Sequence, residues 1–150
     1  MRRFNTWKAL AGVALILALV VPTASAGTSY RSAVLAEINA ARVANGLPAL
    51  KLSRNLALSA QRYSKQMAAA GTLSHELGAP LGERVGKRAT WVGEVLALGM
   101  TAAGTVQAWR TSPGHAAQML SPRYRFVGVG AATGSYGGRT AVFVTAQFVG

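Results

Sequence analysis

The sequence predicts an α+β domain, with helices first and an antiparallel meander last. Three observations carry this. Apolar residues recur at helical spacing through two segments between Ser32 and Gly71. After Pro122 the pattern changes to runs rich in β-branched and aromatic residues, Phe126 to Gly130 and Thr140 to Thr145. Between those runs lies Gly134-Ser135-Tyr136-Gly137-Gly138, a hairpin loop by composition. Helices and strands segregated along the chain, with no internal repeat and no linker, give the α+β pattern.

The chain opens on an export signal. Arg2, Arg3 and Lys8 form a positive region, an apolar run follows from Ala9 to Val21, and Ala24-Ser25-Ala26 is a small-x-small cleavage pattern. Cleavage is expected before Gly27, making residues 1–26 a signal peptide and 27–150 one domain. The alternative is an uncleaved anchor, but the apolar run falls short of the roughly 20 residues that span a bilayer. No second run of that kind follows, so no transmembrane segment is expected after cleavage. The chain has no cysteine, which rules out lipidation at a cysteine and leaves stability to packing alone.

Along the domain, Gly27 to Tyr30 reads as a short flexible start. A helix is expected from Ser32 to Asn45, with Val34, Leu35, Ile38, Ala41 and Ala44 on one face and Gly46 as its stop. Gly46 to Leu50 is a turn. Ser53 caps a second helix with Leu56, Ala60, Tyr63 and Met67 as its buried stripe, ending near Gly71. Gly71 to Arg88 is loop-rich, with a short helix around Pro80 to Val85. Trp91 to Leu98 is extended or irregular. Thr101 caps a helix carrying Val106 and Trp109, and Ser112-Pro113 starts a short helix through Leu120. Gln147 to Val149 continues the last strand. Trp109, Tyr63, Phe126 and Phe143 are expected in the core, Trp91 and Tyr136 in loops, and Arg84 is expected to pair with its neighbour Glu83.

Charge narrows the partners. The chain carries 16 Lys and Arg against four acids, for a formal net charge of +12. Removing Arg2, Arg3 and Lys8 leaves 13 against four, or +9. Such a balance favours an anionic envelope component, whether lipid headgroups or wall polymer. The basic residues are scattered and not interleaved with aromatics, and an exported protein rarely meets nucleic acid, so no nucleic-acid partner is expected.

Acid–base or metal chemistry has few residues to draw on: Glu37, Glu76, Glu83, Glu94, His75 and His115. His75 follows the second helix, Glu94 stands in Gly93-Glu94-Val95, and His115 falls in the first turn of the Ser112-Pro113 helix. Two imidazoles and a carboxylate are the minimum for a divalent metal site with open positions. The same set can transfer protons without metal. The residues alone equally allow two loop histidines and a solvated glutamate. Ser112 is read as a helix cap; a nucleophile with His115 as base is the sharper alternative, unsupported by any nucleophile-elbow motif.

The run Trp109 to Gly130, WRTSPGHAAQMLSPRYRFVGVG, closely resembles the W-x-x-S-P-x-H-x-x-N-h-L-x-P block of bacterial CAP-domain proteins. This superfamily comprises cysteine-rich secretory, antigen-5 and pathogenesis-related proteins. Glu37 to Leu50 resembles the family's opening helix and its N-x-x-R-x-x-x-G-L-x-x-L signature. Leu73-Ser74-His75, Glu83-Arg84-Val85, Gly93-Glu94 and the final Thr145 to Gly150 resemble further motifs, in the family's order. The resemblance implies an α-β-α sandwich with a central antiparallel sheet and an extracellular or envelope location. It also implies a cleft of two histidines and two glutamates, which in some members binds zinc or another divalent cation. Carried across, His75, Glu94 and His115 are the expected metal ligands, with a divalent metal such as zinc as the possible cofactor; Ser112 stands at the fourth position. Val95 replaces an asparagine, Ala116 an arginine and Gln118 an asparagine. Thr145-Ala146-Gln147-Phe148 departs from T-Q-x-F, so the support around the three residues is expected to be eroded. A monomeric secreted protein that binds a lipid, wall polymer or partner protein is the expected function, and a metal-dependent hydrolase is the alternative.

Overall fold

A computed structural model describes residues 26–86 and 88–150. The expected signal peptide lies outside the described residues except for Ala26, the first residue of helix α1 (Ala26–Ala44). The stretch from Gly27 to Tyr30, expected as a flexible start, is thus helical. Tyr30 explains the extension: it packs against the core, and its phenol oxygen lies 2.9 Å from the Thr105 hydroxyl. Such tertiary anchoring is what sustains a helix beyond its local propensity.

After α1 come strand β1 (Lys51–Leu52), helix α2 (Arg54–Ala70), helix α3 (Leu81–Val85) and strand β2 (Val92–Gly99). Helices α4 (Ala102–Thr111) and α5 (Pro113–Met119) follow, then the hairpin of β3 (Phe126–Tyr136) and β4 (Arg139–Val149). The sheet order is β1-β3-β4-β2, with β1 parallel to β3 and the other pairs antiparallel. The segment expected to be extended or irregular is a full strand from Val92 against β4, with Trp91 in the bend before it. The hairpin loop is tighter than expected: Tyr136 and Arg139 still pair, leaving Gly137 and Gly138 as a two-residue turn. Tyr136 is therefore a strand residue and not a loop residue.

The sheet is covered on both faces, giving the α-β-α sandwich. On one side Val34, Ile38, Val106, Trp109 and Met119 of α1, α4 and α5 pack with Val95, Val127, Val129, Val144, Ala146 and Phe148. On the other, Tyr63 and Met67 of α2 pack with Leu96 and Phe143. Here α2 lies directly on the sheet backbone. A Cβ on Gly128 would come within 2.1 Å of the Leu56 carbonyl carbon, and one on Gly130 within 2.2 Å of that of Ala60. Among the described residues, both core clusters draw only on side chains between residues 30 and 148.

Phe126 departs from expectation. It points to the α2 face one row before α2 begins, leaving it 43% exposed. Trp109, Tyr63 and Phe143 are buried as their spacing requires. The Trp109 indole N–H donates to Leu96 O at 2.9 Å, tying α4 to β2.

The Asn39-x-x-Arg42 signature holds three segments together. The Asn39 amide bonds both the N–H and the C=O of Leu50. Arg42, fully buried, donates to the carbonyls of Pro48, Met119 and Ser121. A cation on carbonyls at the end of α5 also complements that helix terminus. Arg42 thereby sets where α5, and His115 with it, rests on the sheet.

Candidate functional site

The three sequence-predicted residues gather around β2, an edge strand. Glu94 lies on its α2 face, directly opposite Gln147 of β4. His75 comes from the loop that follows α2, and His115 from the first turn of α5. Ser112 occupies the N-cap of α5, yet its hydroxyl makes no capping bond. Among the described residues no hydrogen bond joins Ser112 to His115.

Tyr63 organises the α2 side of the site. Its hydroxyl donates to Ser74 O at 2.6 Å and accepts from Leu77 N–H at 3.2 Å, pinning the loop on both sides of His75. Burial raises its phenol pKa above the ordinary value. The Arg84 guanidinium stacks over its ring, 3.5 Å from the centroid.

Glu94 is the centre. Its side chain is 2% exposed, and it is the only glutamate so buried among the described residues. Arg84 grips it with both nitrogens: Nη1 donates to Oε2 at 2.6 Å and Nη2 to Oε1 at 3.0 Å. Gln147 Nε2 donates to Oε2 at 2.8 Å, and His75 Nδ1 donates to Oε1 at 3.0 Å. Arg84 therefore pairs with Glu94 and not with its neighbour Glu83, as a buried carboxylate demands a cation far more strongly than an exposed one does. The fork-to-fork geometry is the strongest form of such a pair.

Around Glu94 the support is in place. Val95 faces the opposite side of the sheet, in the α1 core, so a side chain there points away from Glu94. The amide on Glu94 comes instead from Gln147, across the strand pair. Gln118 also keeps a role: its Oε1 accepts from the Tyr124 hydroxyl at 2.7 Å, and Tyr124 also donates to Val92 O. Sequence reading could have found Gln147 by alternation, because Glu94 and its cross-strand partner share a face. Arg84's partner lies ten residues away with no periodic signal, and it could not.

These contacts test whether the residues fit a metal. A carboxylate offers about four lone-pair positions. The four donor contacts on Glu94 use them all, so Glu94 does not fit as a ligand. Among the described residues no group of three His, Cys, Asp or Glu side chains is placed to hold an ion. The imidazoles remain: His75, with its side chain 53% exposed and Nε2 turned from Glu94, and His115. Burial first, and the neighbouring His75 charge second, lower the His115 pKa below its usual value.

The sequence profile of the Cysteine-rich secretory protein (CAP) family matches residues 35–148. No curated protein matches the sequence. Among solved structures, an outer surface protein of Borrelia burgdorferi superposes with a TM-score of 0.67 at 22% identity, over 81% of this chain and 92% of its own. An extracellular SCP-domain protein of Bacillus anthracis gives 0.66 at 24%, over 82% of this chain and 41% of its own. A cysteine-rich secretory protein of Staphylococcus aureus gives 0.61 at 19%, over 83% and 39%. The chain thus spans less than half of the latter two. At these identities the likeness is one of fold.

Proposed function

The chain belongs to the cysteine-rich secretory protein (CAP) family, and on that premise we propose that it is an exported binding protein of the cell envelope. Residues 1–26 act as a cleavable signal peptide, and the domain from Gly27 onward engages an anionic envelope component. Structural relatives described as outer-surface and extracellular proteins support the location. The observation that carries binding over catalysis is the saturation of Glu94. A metal-dependent hydrolase built on His75, Glu94 and His115 needs that carboxylate free to ligate the ion or to accept a proton from water. The buried carboxylate beside the histidines is occupied on both oxygens.

Charge identifies the partner's sign. Exposed cations outnumber the exposed glutamates Glu37, Glu76 and Glu83 among the described residues. One part of that surface adds apolar area to charge. Trp91 stacks beneath the Arg123 guanidinium at 3.9 Å, and Phe126, Lys51 and Arg125 are exposed nearby along the end row of the sheet. Aromatic and basic side chains in combination suit a charged interface.

Trp91 provides the assay. In residues 27–150 the only other tryptophan is the buried Trp109. Titrating anionic vesicles or isolated cell walls should blue-shift Trp91 emission, and zwitterionic vesicles should not. Binding should weaken severalfold from low to physiological salt. No binding to either anionic target, or binding indifferent to salt, refutes the proposal.

A further inference from the structure

We propose that Arg84 is the resident cation of this site: its guanidinium takes up both oxygens of Glu94 and so closes that carboxylate to a divalent metal. The closure is independent of what the domain binds.

Arg84 is fixed from several sides. Its Nε donates to Ala79 O at 2.8 Å, its own carbonyl accepts from the Ser59 hydroxyl at 3.0 Å, and the Tyr63 ring lies beneath the guanidinium. With the two bonds to Glu94, the side chain has no freedom to swing aside for an incoming ion; it is 9% exposed. Helix α3, which carries Arg84, contacts both α2 and β2, so its backbone is held in place.

The electrostatics agree with the geometry. A carboxylate already paired with a guanidinium carries little net charge, and an ion approaching it meets the positive Arg84 at close range. Both lone pairs taken by Arg84, one on each oxygen, would have to be released before Glu94 could ligate anything. Removing the guanidinium reverses each point. Two lone pairs open, the buried carboxylate is left without a counter-ion, and His75 Nδ1 already lies 3.0 Å from Glu94 Oε1. A carboxylate beside an imidazole is a donor pair that zinc accepts.

The test uses zinc chloride and residues 27–150, read by calorimetry and by thermal melting with and without zinc at pH 7. The unsubstituted domain should show no zinc binding that depends on Glu94: Glu94→Gln, which can still bond Arg84, should leave its titration unchanged. Arg84→Gln should bind one zinc at least tenfold more tightly than the unsubstituted domain and melt higher with zinc. Adding Glu94→Gln to Arg84→Gln should abolish the gain. A merely structural role for Arg84 predicts lower stability and no gain of zinc. The proposal is overturned if the unsubstituted domain binds zinc with an affinity that Glu94→Gln lowers. It is equally overturned if a folded Arg84→Gln gains less than threefold. Should Arg84→Gln fail to fold, Arg84→Met replaces it, and the Glu94→Gln comparison decides alone if neither folds.

Discussion

Arg42→Met removes a buried cation while keeping the length of its side chain. Arg42 is fully buried, and its three bonds all go to carbonyls, of Pro48, Met119 and Ser121 at 3.1, 2.9 and 2.9 Å. Hydrogen bonds from a charged donor contribute about 1.5–3 kcal/mol each, so the gross loss is roughly 5–9 kcal/mol. Two terms offset it. The guanidinium has no carboxylate partner among the described residues and leaves Nη2 unbonded, so its burial costs several kcal/mol that methionine avoids. The carbonyls of Pro48 and Ser121 sit where water can reach them, while the bond to Met119 O is buried. A net loss of about 2–4 kcal/mol remains, and at this domain size that lowers Tm by roughly 6–16 °C. Urea and thermal unfolding at pH 7 measure it. Amide exchange should rise first in α5, because two of the three carbonyls belong to its end. A Tm drop below about 3 °C, or loosening spread evenly over the chain, would refute the view that Arg42 clamps α5 to α1.

Gly128→Ala and Gly130→Ala should each destabilise by about 3 kcal/mol or more, because a methyl group meets the backbone of α2 and not a yielding side chain. Gly82→Ala, with nothing within 4 Å, should change Tm by no more than about 2 °C. For His115, whose pKa is lowered on folding by burial and then by His75, the unfolded chain takes up the proton more readily. The stability it contributes is therefore present above the usual imidazole value near 6.5 and lost as pH falls through the lower folded value. Melting from pH 7.5 to pH 5 should show a smaller fall in His115→Gln than in the unsubstituted domain, and parallel curves would refute the assignment.

Elements whose signal is local could be read from the sequence. Helix α2 was legible from end to end: Ser53 accepts from Leu56 N–H, the predicted stripe is buried, and the helix stops at Gly71. The Ser112-Pro113 start of α5 and both hairpin strands were equally plain. What could not be read depends on partners distant in sequence. Strand β1 is two exposed residues that become a strand only because β3 lies alongside. Phe126 has the composition of a core residue, and only the point at which α2 begins leaves it uncovered. Arg84 beside Glu83 suggested a local pair, since sequence adjacency does not show which glutamate is buried.

The departures around Glu94 show why a motif needs a sheet to be interpreted. In Gly93-Glu94-Val95, successive side chains leave β2 on opposite faces. Residue 95 packs with α1 and cannot support residue 94 laterally, so its change to valine deepens the core and leaves the site untouched. Support comes from across the strand pair, where Gln147 meets Glu94, and from α3, where Arg84 does. A shift of the glutamine toward the chain end, which looks like a lost contact in the motif, places an amide donor opposite the carboxylate. The site is thus built as a closed polar cluster with its charge balanced internally. Such a cluster fixes the His75 ring through Nδ1 and leaves its other face to solvent, while both oxygens of Glu94 stay within the cluster's own hydrogen bonds.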